Sequence, residues 1–160
     1  MRKDTKSGKM RAKIDGRDSM FRHILVAFDG STYARKALDV AIEMAKALGA
    51  GLSIVSVEEH LPSYPGDIGE VKEEKERQNE IFKKLQQEAR ETVRSKGLDF
   101  HRTDVLTGHV AKSIIDHAKS IECDLIVMGH SGRSGVWGSF LGSTAEKVSR
   151  NAHCTVMIVR

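Results

Sequence analysis

The residues best suited by type to do chemistry lie in one stretch, MGHSGRSGVWGSFLGSTAEKV, Met128–Val148. Five glycines fall within its first part: Gly129, Gly132, Gly135, Gly138 and Gly142. Glycine at that density costs conformational entropy, and it serves where backbone must approach a ligand closely. The stretch runs into a helix beginning near Ser143 and Thr144. There, free N–H groups, two hydroxyls and the positive end of the helix dipole would face an anion. Arg133 would add charge, and His130 stands where it could touch a ribose or a phosphate. That chemistry is a phosphate cradle. The plainer alternative is a surface loop leading into a capped helix, with His130 solvated. Asp29, in the turn Asp29-Gly30-Ser31, is the one acidic residue placed to meet both a ribose and a phosphate-bound cation. Its alternative is an Asx-type turn or a helix cap. Trp137, inside the glycine-rich loop, suits either a clamp over the ligand or a contact with a partner subunit.

Other chemistries leave no trace. There is no Walker loop, and no GxGxxG follows the strands that precede Asp29 or His130. Gly129-His-Ser-Gly lacks the last glycine of a nucleophile elbow. The seven histidines include no HExxH pair. Phosphoryl transfer needs an in-line nucleophile and charge stabilisation at the γ-phosphate, and no base to activate a nucleophile is evident.

The elements that must position these residues alternate along the chain. Phe21–Phe28 contains a short apolar run and reads as a buried parallel strand. Ser31 suits the cap of a helix whose apolar residues, Ala34 through Leu48, recur in steps of three and four, and Gly49 stops it. Leu52–Val57 is a second strand. A long charged helix follows, about Asp67 to Lys96, with Asp67 and Glu70 spaced as a capping box and Gly97 ending it. Leu98–Leu106 alternates in part, as an edge strand does. A helix over Val110–Ala118, the apolar strand Cys123–Gly129, a helix from Ser143 to about Asn151 and the strand Cys154–Val159 complete the chain. Ser143 and Glu146 have capping-box spacing. Repeated β-α units predict one α/β domain, a doubly wound five-stranded parallel sheet with helices on both faces. In such sheets ligands sit beyond the carboxyl ends of the strands, where the strand order reverses.

Composition agrees and excludes. The chain has 160 residues, 39% hydrophobic and 30% charged, enough for one folded domain with a core. The net charge of +4 sits in residues 1–20, which hold seven Lys/Arg and three Asp. Residues 21–160 are balanced, which makes nucleic acid an unlikely partner for the domain. The basic leader is expected to be a mobile tail. No apolar run reaches the ~18 residues of a membrane span, and the leader is no secretory signal. Cys123 and Cys154 are too few for a disulfide scaffold and match no zinc spacing. They read as small core fillers and point to a reducing cytoplasm.

Gly129-x2-Gly132-x9-Gly142-Ser143 has the spacing of the ATP-binding signature of universal stress proteins, and VAFDGS, TGHVAKSIIDHA, CDLIVMG and CTVMIVR resemble that family too. The likeness spans about residues 21–160. It implies strand order 3-2-1-4-5 and an ATP site across the first and fourth strands, with Mg²⁺ or Mn²⁺ as a candidate ion carried on the phosphates. By position, Asp29 would lie beside the ribose, Ala27 and Phe28 would flank the nucleotide, and Val57, ending the second strand, would meet adenine through its backbone. Met128 and Gly129 would start the ribose and phosphate loop, and Gly132, Gly142, Ser143 and Thr144 would hold the phosphates. Phe28 is bulkier than the residue often found there, and Thr155 replaces a proline that often follows the cysteine. The implied roles are a nucleotide-dependent stress-response or signalling module, a slow ATPase or nucleotidyl transferase, or a nucleotide-free dimeric protein. The apolar edge Thr155–Val159 is expected to pair two copies into a homodimer.

Overall fold

Five runs of β-prone residues, all but the last followed by a helix, form the elements of a computed structural model. It describes residues 19–59, 68–133 and 140–160. In chain order these are β1 (His23–Ala27), α1 (Thr32–Leu48), β2 (Gly51–Glu59), α2 (Ile68–Ser95), β3 (Arg102–Gly108), α3 (Val110–Ser120), β4 (Leu125–Gly129), α4 (Ser143–Asn151) and β5 (Thr155–Val159). Most of the basic leader, Trp137 and the capping-box pair Asp67/Glu70 lie outside the described residues or side chains. The sheet order is β3-β2-β1-β4-β5, all parallel.

Alternation along the strands divides the core in two. Ile24, Val26 and Phe28 pack with Leu52, Ile54, Leu125 and Val127 against α1 and α2. Leu25, Val55, Ile126 and Met128 pack on the other face against α3 and α4. Ile24, Leu25 and Val26 are fully buried, each contributing about 1.5–3 kcal/mol. Four alanines on its buried face let α1 lie close to the sheet.

The strand bounds differ from the sequence reading for identifiable reasons. β3 starts at Arg102 rather than Leu98, because Leu98 and Phe100 are spent packing against the core. Arg90 and Arg94 stand over the Phe100 ring. β4 starts at Leu125 rather than Cys123. Just before it, the Asp124 carboxylate accepts the N–H groups of Arg22 (2.9 Å) and His23 (3.0 Å), while the Asp124 N–H donates to the His23 carbonyl (3.1 Å). β2 does not end at Val57 but continues to Glu59, paired with β3 to its last residue.

Candidate nucleotide cleft

The order of the sheet reverses at β1, whose chain passes to β2 on one side while β4 lies on the other. Above that point, at the carboxyl ends of β1, β2 and β4, lies a cleft of about 690 Å³, within the ~300–1,000 Å³ usual for small-molecule sites. All twelve residues singled out from sequence line it. Ala27, Phe28 and Asp29 come from the end of β1, and Val57 from β2. Met128, Gly129, His130, Gly132 and Arg133 come from β4 and its loop, and Gly142, Ser143 and Thr144 from the start of α4. Val110 and Ile114 of α3 and Ala145 of α4 add an apolar wall.

The two loops are sewn to one another. The Asp29 carboxylate accepts the Ser31 N–H through Oδ1 (2.9 Å) and the Arg133 N–H through Oδ2 (3.2 Å). The Ser31 hydroxyl caps α1 by accepting the Ala34 N–H (3.2 Å) and donates to the Ser131 carbonyl (3.4 Å). The Gly142 N–H donates to the His130 carbonyl (2.9 Å), closing the base of the glycine-rich loop. Asp29 is thus a turn former and a cleft wall together. Two glycines of the signature make this assembly possible. A Cβ on Gly129 would stand 2.7 Å from the Tyr33 carbonyl carbon and 2.9 Å from the Ala34 nitrogen. A Cβ on Gly132 would stand 2.8 Å from Asp29 Oδ2. Their bareness lets α1 and Asp29 come up to the loop.

At α4 the structure corrects the sequence reading. The N-cap is Gly142, with φ −61° and ψ 146°, and no side chain caps the helix. Ser143 is already inside the first turn, so the Ser143/Glu146 capping box does not form. The first intrahelical bond runs from the Glu146 N–H to the Gly142 carbonyl (2.9 Å). The N–H groups of Ser143, Thr144 and Ala145 therefore have no carbonyl within the helix, and these residues line the cleft. His130 is not solvated: it is 7% exposed, its ring meets Tyr33 edge-on, and its Nε2 lies 3.2 Å from Arg160. Phe28 is 2% exposed and its ring belongs to the α1/α2 core, so its bulk is turned away from the apolar wall of the cleft.

Sequence reasoning missed several cleft residues. Glu59, exposed at the end of β2, reaches the lining because the strand outruns its apolar run. Phe140, 80% exposed, and Leu141 stand at the mouth. An apolar pair inside a glycine-rich loop was the available signal for them. Glu59 had none, since two successive glutamates do not look like a strand.

Comparison with known proteins bears on this arrangement. The family model described as the universal stress protein family matches residues 20–160. A universal stress protein of Thermus aquaticus is 38% identical over 141 residues, covering 88% of this chain and all of that protein. Among solved structures, a UspA of Lactobacillus plantarum superposes with a TM-score of 0.78 at 26% identity, over 87% of this chain and 97% of that one. A universal stress protein in complex with cAMP superposes with a TM-score of 0.67 at 25% identity, over 89% and 99%.

Proposed function

This chain belongs to the universal stress protein family, and we propose that it is an adenine-nucleotide binder, taking ATP in the cleft above β1 and β4 as a stress-response or signalling module of the cytoplasm. The observation that carries this reading is the start of α4, where donors without helical partners and two hydroxyls line a cleft built at the sheet's switch point. Phosphates belong there. The base then lies over Ala27, Val57 and the α3 side, and the ribose beside Asp29. The cAMP complex of the neighbour supports an adenine nucleotide as the ligand class and makes the cyclic monophosphate the second compound to titrate.

Charge decides what must accompany ATP. Arg133 and the α4 dipole, worth about half a charge, are the positive groups assigned to the phosphates, Arg160 lies against His130 of the same cleft, and residues 134–139 contain no Lys or Arg. A triphosphate calls for more. Mg²⁺ or Mn²⁺ would supply it, held mainly by the phosphates, since both Asp29 oxygens already accept N–H bonds. Of the described cleft residues able to take a proton, Asp29 already holds two N–H groups, His130 lies against Arg160, and Glu59 stands at the end of β2 on the side given to adenine, so turnover is expected well below the ~1 s⁻¹ low end of ordinary enzymes. Two copies joined along β5 complete the proposal. The β3 edge is blunted by the charges of Arg102 and Asp104, and Gln86 of α2 donates to the Asp104 carbonyl (3.1 Å). The β5 edge, TVMIV, carries no charge. Mass spectrometry of the purified protein, together with a phosphate-release assay, tests the reading. A co-purifying adenine nucleotide and slow release are expected. A different bound cofactor, or brisk hydrolysis lost on a single cleft substitution, would overturn it.

A further inference from the structure

At the end of the sheet opposite the cleft, the chain's two cysteines meet. Cys123 lies two residues before β4 and Cys154 one residue before β5. Leu125 pairs with Thr155, so Cys154 stands across from Asp124 and diagonal to Cys123. The two Sγ atoms are 3.9 Å apart, and both thiols are free. Cys123 is 3% exposed, whereas Cys154 is partly open to solvent.

We propose that Cys123 and Cys154 form a modification site, a dithiol that a small disulfide such as oxidised glutathione converts into an intramolecular disulfide in the folded protein. The accessible Cys154 thiolate attacks one glutathione sulfur and expels a glutathione thiolate. Cys123, directly behind it, loses its proton and attacks the Cys154 sulfur, expelling the second. Two protein thiols and one glutathione disulfide thus become one protein disulfide and two glutathione thiols. Burial pushes both thiols above the ordinary cysteine range, so the reaction is slow near neutrality and quickens as pH rises. The bond ties edge strand β5 to β4 and closes a loop, residues 124–153, that contains the glycine-rich segment and α4.

The test is incubation of the full, folded chain with oxidised glutathione, followed by non-reducing peptide mapping. Expected are linked peptides carrying Cys123 and Cys154, a mass lower by two hydrogens, and a rate rising up to tenfold between about pH 7 and 8. The melting temperature should rise by roughly 5–10 °C. Cys123→Ser should stop at a glutathione adduct on Cys154, and Cys154→Ser should stay unmodified. A lasting glutathione adduct on the unmutated chain, a bond between two chains, or linkage only after unfolding in urea would each overturn the proposal.

Discussion

Asp29 holds the N–H groups of Ser31 and Arg133 with its two oxygens, and Gly132 is bare where Asp29 Oδ2 approaches. The pair makes a sensitive probe of the cleft, because Gly132 is exposed and does not belong to the core. In Gly132→Ala the new methyl would displace the carboxylate from the Arg133 N–H. ATP affinity is expected to fall about fivefold, near 1 kcal/mol, with the melting temperature nearly unchanged. Titration calorimetry and thermal denaturation on the one variant check both halves. Equal loss of affinity and stability would mean that Asp29 matters to the turn alone.

At the scale of elements, two serines that look alike in sequence do different work. Ser31 caps α1, while Ser143 lies one residue inside α4 behind Gly142. Ser31→Ala is therefore expected to lower stability by about 1 kcal/mol, and Ser143→Ala by no more than ~0.5 kcal/mol, measured by urea unfolding. The same comparison shows what was readable beforehand. The order of elements followed from apolar periodicity and glycine stops, and Ser31 and Gly49 act as their types suggest. Element ends followed less well, because tertiary contacts decide them. Phe100 was drawn under two arginines instead of into β3, and the two glutamates ending β2 are held in register by β3. The loop residues Gly129, Gly132, Gly142, Ser143 and Thr144 were legible through glycine spacing, and Ala27, Phe28 and Val57 only through the family resemblance, yet the reason for the glycine spacing was not. Only the packed structure shows Gly129 against α1 and Gly132 against Asp29.

For the whole molecule, the unequal edges of the sheet matter most. Two copies joined antiparallel through β5 would satisfy the edge that no described element covers with charge. Val156→Lys with Ile158→Lys should give a monomer by light scattering while circular dichroism keeps the α/β signal. A dimer that survives both lysines would place the interface elsewhere. ATP with Mg²⁺ titrated calorimetrically into the unmutated chain and into the Ser143→Ala/Thr144→Ala double variant tests nucleotide binding in the cleft. One saturable site per protomer is expected, with affinity at least about tenfold weaker in the variant, near 1.4 kcal/mol, and the fold intact. No saturable binding to the unmutated chain, or the same affinity in both, would contradict it.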